Sequence, residues 1–291
     1  MKERQLLSVS RFTRRHMRHK TPVFYGICKL LLRLVCPRGE GKKTYGLVVP
    51  FDGGLVQVDT GSALEYSLLF RGCHEPTIVE LIENVVRPKS VCLDIGANIG
   101  AHTLYMAKLA GPKGRVVAFE PHPELCQRLR ENIGLNAYRN VTVVEAAMSD
   151  KEGTATFYGF AKGAFRKGIS SLVPDERAKE EMTVRTIDGG KLEALVDLDR
   201  CDFIKIDVEG HDAVVVRALL PLIEKHHPVL IFEYRKRRWE QAGASLPETL
   251  ERLRAQGYSF QHVQKQTVLP LDVAHVPDGC EILCSPTPKA L

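Results

Sequence analysis

Residues 203–212 read FIKIDVEGHD. Side chains alternate faces along a strand, so Lys205, Asp207 and, if the strand runs on, Glu209 share one side, while Ile204, Ile206 and Val208 take the other. Desolvating three ionisable groups is costly unless each is paired. Their types suit proton transfer: Asp207, Glu209 or His211 as base, with Lys205 one pleat behind to hold the carboxylates. Histidine is the side chain whose ordinary pKa lies near neutrality, and the residues leave these three alternatives open. Glu233 ends the next strand-like run, PVLIFEY (228–234). With Asp207 it is a candidate Mg²⁺ site, since that ion prefers oxygen ligands; the alternative is an ion pair between Glu233 and Lys205.

A second constellation lies upstream. VCLDIGANIGAHTLYMA (91–107) is an apolar run ending in Asp94, a turn through Gly96, Asn98 and Gly100, and the opening of a helix. Small residues let a ligand approach the backbone, and a helix start offers free N–H groups. Twenty residues beyond Gly100, Glu120 ends the next strand, where an acid accepts ribose hydroxyls. A dinucleotide fingerprint spaces its glycines G-x-G-x-x-G under the pyrophosphate. Here the spacing is D-x-G-x-x-x-G, and the Asp94 carboxylate would repel phosphate. It suits a nucleoside with a cationic end, such as S-adenosylmethionine, better than NAD.

The set DIGANIGAHT, FEPHP, EAAMSDKEG, SSL, VRTIDGG and FIKIDVEGHD resembles the FkbM family of S-adenosylmethionine-dependent methyltransferases, in order over roughly residues 65–235. The resemblance implies a class I methyltransferase fold, Rossmann-like, with a seven-stranded, mostly parallel sheet and an antiparallel final strand. It implies O-methylation of a hydroxyl on a sugar, glycolipid or secondary metabolite. By the motif, Asp94, Gly96, Asn98 and Gly100 cradle the methionine end and Glu120 the ribose. Ala147, Met148 and Ser149 flank the adenine, with Asp150 beside them, and Asp207 belongs to the same pocket. GISSL (168–172) matches a family loop, which makes Ser170 and Ser171 weaker candidates. Two rival readings remain: a non-catalytic nucleoside-binding protein on the same fold, and an NAD-dependent oxidoreductase.

The elements that must position these residues follow from pattern. Strands read at 90–95, 115–120, 141–147, 202–207 and 228–233, and two late strand-like runs at 257–263 and 280–285. Helices read near 100–110, 122–136, 210–226 and 246–256. Alternation of this kind means a parallel sheet covered on both faces, with ligands beyond the carboxyl ends of its strands. TYGLVVPFDGGLVQVDTG (44–61) is a hairpin pattern around Asp52-Gly53-Gly54, and residues 75–86 form an amphipathic helix. YRKRRW (234–239) reads as a loop near the acceptor mouth, either attracting an anionic small-molecule or glycan acceptor or simply solvated. His102, His122, His226 and His227 read as helix-capping or solvated rather than metal-binding.

At 291 residues, with 44% hydrophobic and 26% charged, the chain is of ordinary globular composition. Its formal charge is +6, yet residues 1–20 hold seven Lys/Arg and one acid, leaving 34 of each sign in the remainder. A neutral body argues against a nucleic-acid-binding core. The eight cysteines are scattered without a CxxC pair, which points to buried free thiols and a cytoplasmic setting. We expect residues 1–43 to form a basic, partly amphipathic extension and residues 44–291 the methyltransferase domain. VFYGICKLLLRLVC (23–36) reads as a helix too short and too charged to span a bilayer. It either packs on the domain, makes a homodimer, or rests with the basic arm on the inner face of a membrane.

Overall fold

The computed structural model describes residues 46–59, 62–159, 170–174, 178, 180–264 and 267–287. The basic arm and the 23–36 helix lie outside the described residues. In chain order, the first elements are β1 Gly46–Phe51, β2 Gly54–Asp59, α1 Ala63–Arg71, α2 Pro76–Val85, β3 Val91–Ile95, α3 Ala101–Ala110, β4 Arg115–Phe119, α4 Pro123–Leu135 and β5 Val141–Val144. There follow β6 Ala147–Ser149, β7 Gly153–Gly159, β8 Glu180–Asp188, α5 Leu192–Val196, β9 Phe203–Ile206, α6 Asp212–Ala218 and α7 Leu220–His226. The chain continues with β10 Val229–Tyr234, α8 Lys236–Gln241, α9 Leu246–Ala255, β11 Tyr258–Gln264, β12 Thr267–Pro270 and β13 Cys280–Pro286.

The main sheet has eight strands in the order β12-β11-β13-β10-β9-β3-β4-β5. Strands β5, β4, β3, β9 and β10 are parallel, and β13 runs antiparallel between β10 and β11. Without the edge strand β12 this is a seven-stranded, mostly parallel sheet with an antiparallel final strand, as expected above. Apolar residues of β3, β9 and β10 pack on one face against α6, α7 and α9, including Val215, Leu222 and Leu250. The other face packs on α2 and α3 through Ile78, Ile82 and Met106. Strands so covered read as near-continuous apolar runs, which is why they were legible. The hairpin β1–β2 forms a smaller cluster with α1 and with Ile99 and Ala101 of the glycine turn.

Several expectations are corrected. The run 141–147 is two strands: after β5 the chain leaves the main sheet, and β6 joins β8 and β7 in a separate three-stranded sheet. The 210–226 helix is two, α6 and α7, because Pro221 in the first turn of α7 has no N–H to continue the ladder. YRKRRW is not a loop. β10 runs through Tyr234, and α8 follows because Trp239, 1% exposed, must be buried. Its ring stacks on Phe232 at 5.7 Å and its indole N–H donates to the Glu233 carbonyl at 3.1 Å, an apolar body with a satisfied polar end. Glu209 is not on the strand face either: β9 ends at Ile206 and Glu209 takes φ 54. The six described cysteines are free and all but Cys73 are buried.

Candidate functional site

The turn after β3 is built around close backbone approach. Gly96 has φ 87, and a Cβ there would stand 1.9 Å from the Asp207 carbonyl oxygen, so no side chain fits. The Gly96 and Ala97 N–H groups both donate to the Phe119 carbonyl at 2.9 Å, tying the turn to β4. Asn98 takes φ 54, with its side-chain oxygen accepting from the Ile99 N–H at 2.8 Å. Gly100, φ 93, caps α3 and presses on Leu129.

Asp94 is 1% exposed. Its Oδ2 accepts from the Thr103 hydroxyl at 2.5 Å, while Oδ1 is buried with no partner. Burial raises its pKa, and Lys205 opposes that rise. Glu120, 4% exposed, joins two turns: Oε2 accepts from the Asn98 N–H at 2.8 Å and Oε1 from the His122 N–H at 2.9 Å. Burial pushes it up to about 7 against those two bonds. Each oxygen keeps a lone pair for a further donor. Gly96, Ala97, Asn98 and Glu120 line one cavity of about 660 Å³, within the usual range for a small-molecule site.

Ala147 and Met148, at the start of β6, line the same cavity. Ser149 lies behind them, its Oγ 3.2 Å from His211 Nε2. Asp150 pairs with Arg217 at 2.7 Å. His211 faces the cavity, and burial pushes it down to about 4. Its charged neighbours are Asp150 and Arg217, which places it with the β6 residues rather than with the strand-end acids.

Lys205, 5% exposed, donates to Asp207 Oδ2 at 3.0 Å. Burial disfavours its charge, but Asp207 and Asp94 outweigh that and raise its pKa. Burial likewise opposes ionisation of Asp207, and Lys205 holds it below the usual carboxylate value. The turn after Asp207 is braced from both sides. The buried Asp212 carboxylate accepts from the Gly210 N–H at 2.9 Å, and the Ser171 hydroxyl lies 2.8 Å from the Glu209 carbonyl. Glu209 is thereby aimed into the cavity, and burial, with Asp207 and Glu233, pushes it up to about 8. Glu233 pairs with Arg235 at 2.7 Å, not with Lys205, and Arg235 lies 3.9 Å from Glu209. Carboxylate oxygens of Asp207, Glu209 and Glu233 lie within 4.8 Å of one another.

Sequence reasoning missed part of the wall. His74, Glu75 and His102 line the cavity beside Leu64, Phe157 and Leu172. Glu75 was visible only as the first residue of an amphipathic helix. His102 caps nothing and is not solvated; it is 6% exposed. His122 does cap α4, its Nδ1 accepting from the Glu124 N–H at 3.2 Å.

The sheet order and the turn that joins Asp94 to Glu120 define a class I methyltransferase domain, of the kind that uses S-adenosylmethionine. Residues 94–260 match the model of the methyltransferase FkbM domain, more than half of the chain, which therefore belongs to that family. The chain is 27% identical over 157 residues to the hexuronic acid methyltransferase AglP of Haloferax volcanii, covering 54% of this chain and 61% of that one. It is 30% identical over 181 residues to the methyltransferase sdnD of Sordaria araneosa, covering 52% and 67%. It is also 31% identical over 153 residues to the 2-O-methyltransferase NoeI of Sinorhizobium fredii, covering 48% and 60%. The matches thus span about three-fifths to two-thirds of these relatives. A methyltransferase FkbM from Methylobacillus flagellatus aligns in structure with a TM-score of 0.43 and 17% identity, over 75% of this chain and 53% of that one.

Proposed function

We propose that this protein methylates a hydroxyl oxygen of a sugar, glycolipid or secondary metabolite with S-adenosylmethionine as donor. The observation that carries the donor is the unpartnered, buried Asp94 Oδ1 just before the cavity-lining turn that admits only glycine at position 96. Such an orphan acceptor suits a cationic ligand and repels a pyrophosphate, which argues against NAD. When bound, the donor supplies a methyl already activated on a sulfonium. The chain's part is to hold it: Asp94 and the 96–100 turn at the methionine end, Glu120 at the ribose, and Ala147 and Met148 against the adenine with Ser149 behind.

A neutral hydroxyl is a weak nucleophile and needs a proton acceptor in the transition state. Of the candidates, Asp207 is committed to Lys205, and His211 sits with Ser149 and Asp150. Glu209, pushed up to about 8, is matched to accept a proton near neutral pH. We assign it as the base, with Lys205 and Asp207 fixing the charge beside it. Mg²⁺ on Asp207, Glu209 and Glu233 is the second reading, favoured by their proximity. Lys205 and Arg235 already bring two positive charges to these three carboxylates, which favours the protein base. The charged set also speaks against a non-catalytic protein, since hydrophobic residues of similar volume would often serve stability as well as buried ion pairs do. A sugar acceptor is supported by relatives named for hexuronic acid and 2-O-methylation. The exposed Lys236 and Arg237 of α8 beside Arg235 suit an acidic one.

The test is label transfer from the donor's methyl to uronic acids, neutral hexosides and an extract-derived glycan pool, alongside calorimetry with S-adenosylhomocysteine and NAD. Glu209→Gln should lower turnover by about 10²–10⁴-fold with product affinity unchanged. Turnover that survives Glu209→Gln but collapses with EDTA would move the role to a metal, and NAD binding without S-adenosylhomocysteine binding would sink the donor reading.

A further inference from the structure

One wall of the cavity carries chemistry that the reading above does not use. Glu75, at the N-cap of α2, has φ 47 and ψ 72, and its side chain makes no capping bond. A non-glycine residue in that left-handed region is strained, so capping does not explain its place. Its Oε2 lies 3.7 Å from Nε2 of His74 and 3.7 Å from Nε2 of His102. His102, in the first turn of α3, is 6% exposed, and its Nε2 has no hydrogen-bond partner. Burial, then Lys205 and His74, keep this imidazole neutral. A neutral imidazole keeps one nitrogen as an acceptor, and the unpaired Nε2 can take that role.

Two acceptors, Glu75 Oε2 and His102 Nε2, therefore face each other beyond hydrogen-bonding distance. What satisfies both is a group with several donors, and a positive charge suits the carboxylate. The neighbour of His102, Thr103, bonds the one carboxylate whose second oxygen is also orphaned, Asp94.

We infer that Glu75 and His102 form a binding site for a primary ammonium, that of the amino-acid end of S-adenosylmethionine, next to Asp94. The inference rests on the donor reading above. It assigns a cofactor contact to Glu75, which lies N-terminal to the matched residues 94–260, so the helix before the sheet completes the pocket. His74, on the other side of Glu75, steadies the carboxylate.

The experiment is calorimetry on the full chain with S-adenosylhomocysteine and with its desamino analogue, which carries hydrogen in place of the ammonium. Wild type should prefer S-adenosylhomocysteine by about 10–100-fold, the range for losing a hydrogen bond to a charged group. Glu75→Gln and His102→Phe should each remove most of that preference and leave the affinity for the analogue within about twofold. If both variants keep the wild-type preference, the inference is wrong and the pair faces the methyl acceptor instead. If they weaken both ligands equally, the role is structural and the inference is again wrong. Because Glu75→Gln preserves size, it guards against a folding failure of His102→Phe. Failure of wild type to bind S-adenosylhomocysteine at all would overturn the donor reading itself, and this inference with it.

Discussion

Glu120 offers a test whose two halves run in opposite directions with pH. Burial pushes its carboxyl up to about 7 in the ligand-free fold, from an ordinary 4.5. The folded state therefore binds a proton that the unfolded state releases between pH 4.5 and 7. Stability from this group is fully present below about pH 4.5 and is lost as pH rises through 7. A shift of this size corresponds to on the order of 3 kcal/mol. The ribose, in contrast, needs the ionised carboxylate as acceptor. Below pH 7 the affinity for S-adenosylhomocysteine should fall about tenfold per pH unit, because the ionised fraction falls tenfold. The prediction is that the ligand-free protein melts higher at pH 5.5 than at pH 8, while the increment in Tm on saturation is larger at pH 8. Glu120→Gln should flatten the pH dependence of binding. It should also weaken affinity by about 10–100-fold, since one backbone N–H of Asn98 or His122 then meets an amide N–H instead of an oxygen. Calorimetry from pH 5.5 to 8 in buffers of matched ionic strength measures this. An affinity independent of pH in wild type, or unchanged in Glu120→Gln, would refute the ribose role.

Gly96→Ala should abolish S-adenosylhomocysteine binding, because the added Cβ would stand 1.9 Å from the Asp207 carbonyl. The backbone must move to admit it, and a calorimetric signal like that of wild type would show that the turn is not the cradle. If residues 1–36 rest on a membrane, anionic liposomes at low salt should sediment the full chain, each of seven cations adding on the order of 1 kcal/mol. A chain starting near Lys42 should stay in the supernatant. If both stay there, the arm serves the fold or a dimer rather than a membrane.

What the sequence disclosed depended on where side chains lie relative to one another in the chain. Strands β3, β4, β9 and β10 were legible as apolar runs, and Asp94, Gly96 and Glu120 as a local pattern of strand, turn and strand end. The break at Pro221 is passed over, because a continuous apolar run makes 210–226 read as one helix. The three-stranded sheet was not legible, because β6 follows β5 after two residues and its partner β8 begins more than thirty residues later. Trp239 turned a basic loop into a helix through contacts with Phe232 and Tyr234 that no local pattern announces. His74, Glu75 and His102 meet only because α2 and α3 pack on the same face of the sheet.

The charges at the end of β9 are tolerable because most of them are answered within the protein. Lys205 answers Asp207, Arg235 answers Glu233, and Asp212 and Ser171 hold the intervening turn through its own N–H and carbonyl groups. Breaking such a pair leaves a buried charge and costs several kcal/mol, so the strand-end set is rigid before any ligand arrives. Two of the buried polar atoms left unanswered are His102 Nε2, whose residue lines the cavity, and Asp94 Oδ1, whose residue directly precedes the lining residues Ile95 and Gly96. Each orphan costs about 1–3 kcal/mol in the ligand-free state. That cost is removed only when a donor enters, so it adds to the preference for a cationic ligand over a neutral nucleoside. The same rigidity fixes Glu209 in its left-handed conformation against the cavity, the preorganisation that the proposed base role requires.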